Sequence, residues 1–418
     1  MKIKQIDALE VLDSRGKPTI RTTVYLEDGS RGAAIVPSGA SAGSFEAHEL
    51  RDGDNSRYFG FGTLKAVEQV KGLSNHLIGI ESDDQNKIDT LLIDIDGTEN
   101  KEKIGANSIL SISLACARAS TNSLNIPLYE YINILFNNLA SKENKFSMPR
   151  PMLNILNGGV HANNNIDIQE FMIIPSNKFS FKEGLRKAAE VYMHLKNNLD
   201  QNKLSTTVGD EGGFAPNFES NEIVIEEIIK SIEETGMEYG EDISLGLDCA
   251  SSELYKDKIY HLEGEGNKFS SDEMIDYLMN LVNKYQIISI EDPLDESDWS
   301  AWKKLSEKTN NLQIVGDDIF VTNKELLEKG IAEKVANSIL IKPNQIGTLT
   351  ETFQAIDLAK SNDYGTIISH RSGETEDTFI SDLAVGVDAR QIKSGAPARS
   401  DRTAKYNRLL IIENELYP

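Results

Sequence analysis

Ile287-Ile-Ser-Ile-Glu-Asp-Pro293 is a short apolar run that ends on a carboxylate and then on a proline. The pattern returns along the second half of the chain. Leu312-Gln-Ile-Val leads to Asp317, Ser338-Ile-Leu-Ile to Lys342, Gly365-Thr-Ile-Ile to His370 and Ala389-Arg-Gln-Ile to Lys393. Upstream, Ile243-Ser-Leu-Gly-Leu leads to Asp248. The polar ends from Glu291 onward recur roughly every 25 residues, about one strand plus one helix of a barrel that runs to roughly 250 residues. Charged groups at the carboxyl ends of barrel strands point into one mouth, where barrel enzymes keep their chemistry. The interval therefore predicts a fold and a site together.

Working outward, Pro151-Met-Leu-Asn-Ile-Leu and Ile168-Gln-Glu-Phe-Met-Ile-Ile supply two more strands with no helix between them. Helices over about 179–202 and 219–236 follow, so the barrel reads ββαα(βα)6. Residues 3–37 alternate apolar and polar and break at Gly16-Lys-Pro18 and Glu27-Asp-Gly29, which predicts a three-stranded antiparallel meander. Helices are expected over about 62–78, from near Asp83, over about 105–122, and from Pro127 in a first turn. Strands followed by helices make an α+β domain. The division expected is an N-terminal α+β capping domain over 1–137 and a TIM-like barrel over 148–418, joined by the polar stretch from Asn137 to Lys145.

The chain has 418 residues, 39% of them hydrophobic, and a formal charge of −23, a surface that repels phosphate backbones and argues against nonspecific nucleic-acid binding. Two cysteines, Cys116 and Cys249, make no disulfide scaffold. With no signal-peptide core at the start and no apolar stretch near the ~20 residues that span a bilayer, the expectation is a cytoplasmic protein.

One strand-end carboxylate is most simply a salt-bridged cap. Three in succession, Asp248, Glu291 and Asp317, on strands ~4.8 Å apart repel strongly and call for a cation, and all-oxygen ligands favour a hard octahedral ion such as Mg2+. Lys342 and Lys393 enter from the far side of the mouth, with Arg371 and Ser372 between them. One half of the mouth is acidic and the other basic, which suits an anion held between metal and guanidinium. A lysine beside a divalent metal and a second ammonium is expected to lose basicity and serve as a base. Gly209-Asp-Glu-Gly-Gly213 sets Glu211 in a glycine loop from which it can reach the mouth as an acid. Two further glycine-bearing loops, Pro37–Gly43 and Asn157–Asn164, read as lids. Gly39-Ala-Ser-Ala-Gly43 matches a serine nucleophile elbow, but the following Phe45-Glu-Ala-His-Glu-Leu-Arg-Asp52 is too polar for the buried helix an elbow needs. Gly60-Phe-Gly62 lacks the third glycine of a dinucleotide fingerprint, and Cys249 reads as packing.

Taken together, Pro37-Ser-Gly-Ala-Ser41, Glu49-Leu-Arg-Asp-Gly-Asp54, Asn157-Gly-Gly-Val-His161, Gln169-Glu-Phe-Met172, Gly209-Asp-Glu-Gly-Gly213, Gly246-Leu-Asp-Cys-Ala-Ser-Ser252, Glu291-Asp-Pro293, Lys342-Pro-Asn-Gln-Ile-Gly347, Ser369-His-Arg-Ser-Gly-Glu-Thr-Glu-Asp377 and Lys393-Ser-Gly-Ala-Pro397 resemble the enolase family over essentially the whole chain. The resemblance implies a lyase of glycolysis and gluconeogenesis: reversible dehydration of 2-phospho-D-glycerate to phosphoenolpyruvate through an enediolate, with two Mg2+ per site, the second recruited with substrate. It implies Lys342 as the base at C2 and Glu211 as the acid at the departing hydroxyl. It implies Asp248, Glu291 and Asp317 on the first metal, Ser41 on the second, and Arg371 and Ser372 on the phosphate. Lys393 would contact the substrate carboxylate, and His161, Glu170 and His370 would surround Glu211 and the substrate. A homodimer or a dimer-based higher oligomer is implied as well. Three departures stand out: Ala42 where the family commonly has threonine, Lys17 where it has asparagine, and Arg21 with Ile411 where a glutamate–arginine pair often bridges the dimer. The rival readings are a relative acting on an unphosphorylated carboxylate, which needs neither Arg371-Ser372 nor Ser41, and a non-catalytic scaffold or surface-binding protein that kept the fold, in which Lys342, Glu211 or a metal ligand should have decayed.

Overall fold

The structure is a computed structural model that describes residues 1–39, 43, 45–309 and 311–418. The calls on Ser41 and Ala42 lie outside the described residues.

Strands β1 (Ile3–Leu12), β2 (Pro18–Leu26) and β3 (Arg31–Ile35) form the expected antiparallel meander, turning at Gly16 and Gly29, both with positive φ. Helices α1 (Leu64–Leu77), α2 (Gln85–Asp96), α3 (Ala106–Leu124) and α4 (Leu128–Leu139) follow. Pro127 stands at the N-cap of α4 in extended conformation (ψ 148°), one position before the first turn, because its own carbonyl accepts the first helical bond from Tyr131. Almost every residue of α3 is buried, and small side chains let β3 lie directly on it. A Cβ on Gly32 would fall 2.1 Å from the Ala119 nitrogen.

The barrel closes in the order β10-β11-β12-β13-β14-β4-β5-β6. Its elements are β4 (Arg150–Asn157), β5 (Glu170–Pro175), α5 (Phe181–Gln201), α6 (Asn221–Glu234) and β6 (Ile243–Asp248). A small sheet of β7 (Tyr255–Lys256), β8 (Ile259–Leu262) and β9 (Asn267–Phe269) comes next, then α7 (Ser271–Tyr285). After it run β10 (Ser289–Glu291), α8 (Trp299–Lys308), β11 (Gln313–Gly316), α9 (Lys324–Glu333), β12 (Ser338–Ile341), α10 (Pro343–Ile346), α11 (Leu349–Ser361), β13 (Gly365–Ser369), α12 (Phe379–Gly386), β14 (Gln391–Lys393) and α13 (Ser400–Leu416). The ββαα(βα)6 order holds, with the β7–β9 sheet added inside the first βα unit. Those strands are two to four residues long, too short to leave an alternation in the sequence.

β5 is antiparallel to both neighbours, β4 and β6. Without a crossover helix after β4 the chain turns straight back, so the first residue of β5, not its last, lies at the mouth. That residue is Glu170, in register with Asp248, which is in register with Glu291. Below them Met152, Met172, Ile174, Val315, Leu340 and Ile367 fill the barrel with apolar side chains. The N-terminal elements dock by buried polar contacts: Arg118 forks onto Asp377 (2.5 and 2.7 Å), and Asp89 accepts from the Thr350 nitrogen (2.9 Å) and hydroxyl (2.6 Å). No helix among the described residues is long and apolar enough to cross a membrane.

Candidate active site

One cavity at the mouth is lined by Glu46, His161, Gln169, Glu170, Glu211, Asp248, Asp292, Asp317, Asp318, Lys342, His370, Arg371, Ser372 and Lys393, among others. Glu291 lies buried beside it. Every candidate from the sequence, Ser41 aside, is therefore at or next to one place.

Glu170, Asp248 and Glu291 stand side by side on β5, β6 and β10 because their register aligns them. Lys393 reaches across from β14, its Nζ 2.8 Å from Asp248 Oδ2, 2.9 Å from both Glu291 oxygens and 3.0 Å from Glu170 Oε2. Burial disfavours that ammonium, but Asp248, Glu170 and Glu291 outweigh it and hold its pKa well above the ordinary lysine value. Asp317 instead pairs with Lys342 and accepts from Gln345 (2.9 Å). The strand order keeps the expected acidic and basic halves, with Glu170, Asp248, Glu291 and Asp317 on or just after the consecutive strands β5, β6, β10 and β11, and Lys342, His370 and Lys393 on or just after β12, β13 and β14. The two amines extend into the acidic half, because buried carboxylates draw the nearest cations.

The pKa of Lys342 is raised: burial works against the charge, but the touching Asp317 carboxylate prevails. The same contact holds Asp317 below its usual value against the cost of burial. The expected loss of basicity is one that a divalent ion on Asp317 would bring.

Glu211 is placed by close backbone packing of its loop on β4. A Cβ on Gly213 would meet Asn157 Oδ1 at 2.6 Å, and one on Gly209 would meet the His161 carbonyl at 2.6 Å. Asn154 donates to Glu211 Oε2 at 2.9 Å, while His161 Nδ1 and His370 Nε2 each lie 3.5 Å from Oε1. Burial pushes Glu211 up, but His370, His161, Arg402 and Lys393 hold it well below the usual carboxylate range. Glu170, driven up by burial and by Glu211, takes the opposite direction, so it is the more basic of the two adjoining carboxyls. Burial lowers the pKa of both histidines, His370 the more strongly, against the opposing pull of Glu211 on each.

At the anion end, both terminal nitrogens of Arg371 donate to Glu46, at 3.0 and 3.2 Å, and Nη1 also donates to Asn344 at 3.2 Å. The Ser372 hydroxyl accepts from Arg15 at 3.5 Å. The fork assigned to phosphate is thus already matched to a carboxylate. Sequence reasoning missed Glu46, Asn154, Gln345, Arg15 and Arg402. It also missed Asp292, whose two oxygens accept the Asp317 and Asp318 backbone N–H groups at 2.9 Å each and so shape the turn after β11. The signal for Asp292 was available, as it directly follows a strand-end carboxylate.

Do these residues fit a divalent cation? The donors are carboxylate oxygens apart from the His161 ring nitrogen, and the carboxylates outnumber the amines. Burial and Asp248 drive Glu291 well above its ordinary pKa, and burial and Asp317 drive Asp318 to about 8. A site so rich in buried anionic oxygen suits a hard divalent ion. Asp292, Asp317 and Asp318 bring ligand atoms within 4.8 Å of one another, as do His161, Glu170 and Glu211. Asp248, Glu291 and Asp317 share the mouth, though here lysine amines stand among them. Cys249 is buried, and burial and then Asp248 raise its thiol pKa well above the usual value, which excludes a thiolate nucleophile.

Two family models match the chain. That of the enolase C-terminal TIM barrel domain covers residues 145–417, and that of the enolase N-terminal domain covers residues 3–132.

Proposed function

The chain belongs to the enolase family, and from that premise we propose that it catalyses the reversible, Mg2+-dependent dehydration of 2-phospho-D-glycerate to phosphoenolpyruvate. The observation that carries this reading is the meeting, in one cavity, of an amine (Lys342), two adjoining carboxyls (Glu211 with Glu170) and a guanidinium fork (Arg371). An elimination needs a base at one carbon, an acid at the neighbouring leaving group and a grip on the rest of the substrate.

Lys342 removes the C2 proton. In the arrangement described, Asp317 keeps this amine protonated, so base function requires that pair to loosen. Glu211 protonates the departing C3 hydroxyl with a proton drawn from the more basic Glu170 beside it. Arg371 and Ser372 hold the phosphate, which must displace Glu46 from the guanidinium, and Lys393 binds the substrate carboxylate. Asp248, Glu291 and Asp317, with Ser41 from the lid for a second ion, would hold Mg2+, which supplies positive charge for the carboxylate as C2 loses its proton. Charges ~4 Å apart at an effective dielectric of about 20 are worth ~4 kcal/mol each, so this electrostatic contribution outweighs the strength of the base.

We also propose a homodimer without the family's frequent ion pair. Arg21 donates to Thr23 within its own chain at 3.0 Å, and Ile411 is 52% exposed. An exposed bridge contributes only ~0–1 kcal/mol, so its loss is tolerable.

The test is to mix purified protein with 2-phosphoglycerate and Mg2+ and follow the ultraviolet absorbance of the conjugated enol phosphate, with an EDTA control. A metal-dependent rise is expected. No rise from folded, metal-loaded protein overturns the proposal and favours a scaffold that kept the fold.

A further inference from the structure

Helix α13 is polar in sequence, yet two of its cations, Arg402 and Lys405, are completely buried. Arg402 gathers two loops of the site. Its Nη1 donates to His370 Nδ1 at 2.5 Å and to the Arg371 carbonyl at 2.6 Å. Its Nη2 donates to the Ser372 carbonyl at 2.7 Å and to the Asp210 carbonyl at 3.0 Å. The last of these is the residue before Glu211.

The contact with His370 has a chemical consequence. Guanidinium only donates and is not deprotonated in proteins. The ring nitrogen facing it, Nδ1, must therefore present a lone pair. The ring proton then sits on Nε2, 3.5 Å from Glu211 Oε1. In the opposite tautomer Nε2 would turn a lone pair toward the Glu211 carboxylate and compete with the substrate hydroxyl for any proton that Glu211 receives. In the tautomer that Arg402 imposes, Nε2–H can only donate, which stabilises the Glu211 carboxylate once its proton has gone to the leaving group.

Resting on the function proposed above, we infer that Arg402 is a positioning residue: it locks His370 as the Nε2–H tautomer and so reserves the proton of Glu211 for the substrate. No proton is gained or lost by His370 or Arg402 in this role.

Two measurements test it. The first uses no turnover and so stands even if the proposed reaction is wrong. Nitrogen-15 NMR of histidine-labelled protein at neutral pH, with the His370 signals assigned from a His370→Gln spectrum, should show Nδ1 unprotonated and Nε2 protonated. A protonated Nδ1 overturns the inference. The second follows C2 proton exchange and dehydration separately at saturating 2-phosphoglycerate. Arg402→Met should slow dehydration ~10²-fold, the lower end of what a positioned general acid contributes, while C2 exchange persists. Arg402→Lys, which also only donates, should recover part of the loss. The double variant Arg402→Met/His370→Gln should be no slower than His370→Gln alone. Additive losses, or equal loss of exchange and dehydration, would show that Arg402 merely supports the fold. If Arg402→Met does not fold, the NMR result and Arg402→Lys still decide.

Discussion

Replacing Lys393 with methionine removes one charge and little volume from a cluster of three buried carboxylates. The ammonium is within 3.0 Å of Asp248, Glu291 and Glu170. Taking one partner from a buried ion pair costs ~3–5 kcal/mol, because the other partner is left uncompensated. Here three partners lose it. Glu291 and Glu170 already have raised pKa values, so part of the cost is relieved by proton uptake. A carboxyl whose folded pKa exceeds its unfolded value contributes stability that is lost as pH rises. Lys393→Met should therefore be most damaging above neutral pH. At ~2 °C per kcal/mol for a large domain, the metal-free variant should melt ~6–10 °C below the parent. Mg2+ at a hundredfold excess over its Kd stabilises a folded protein by ~2.7 kcal/mol. The gain should be greater in the variant, where no ammonium competes for Asp248 and Glu291. Thermal unfolding in EDTA and in Mg2+, at pH 6 and pH 8, reads all of this. Equal melting of both proteins in EDTA, or an equal lift by Mg2+, would refute the account of Lys393 as the cation that these carboxylates share.

Lys342→Ala should abolish solvent-hydrogen exchange at C2, whereas Glu211→Gln should retain exchange and block dehydration; deuterium incorporation followed by mass spectrometry distinguishes them, and exchange persisting without Lys342 rules it out as the base. Burial holds Asp89 at a pKa of about 6, against 3.8 for an ordinary aspartate, so its contribution is present at low pH and is lost as pH rises through about 6; Asp89→Asn should flatten a pH-dependent loss of about 3 kcal/mol, seen as a urea midpoint that changes less between pH 4 and 7 than the parent's. Gly32→Ala forces β3 off α3 and should cost ~1–3 kcal/mol or more with little effect on KM; an unchanged melting temperature would contradict the packing described.

What the sequence disclosed was what the strand period repeats. Glu291, Asp317, Lys342, His370 and Lys393 could be read because each closes a similar run at a similar interval. Glu211 could be read because its glycines mark a tight approach. Pairings across the barrel were hidden, since nothing local ties Lys393 to Glu170 or Lys342 to Asp317. That is why the carboxylate that raises the pKa of Lys342 had no local signature. Glu46 and Arg15 come from the N-terminal elements and meet Arg371 and Ser372 only through tertiary docking. Arg402 did leave a trace: with Lys405, Tyr406 and Leu409 it falls at helical spacing on the buried face of α13, where a cation needs a partner. The β7–β9 sheet left none.

The barrel is completed where β14 pairs with β4, setting Lys393 beside Met152. This contact joins the last strand to the first, so it carries the greatest loop-closure entropy in the domain and belongs among the slowest steps of folding. The lysine that neutralises Asp248, Glu291 and Glu170 therefore arrives with the final strand. Until then those carboxylates lack their shared counter-ion, and in a chain emerging from the ribosome the candidate site is not assembled until β14 has been made. Regain of turnover after dilution from denaturant should accordingly trail the return of helical signal.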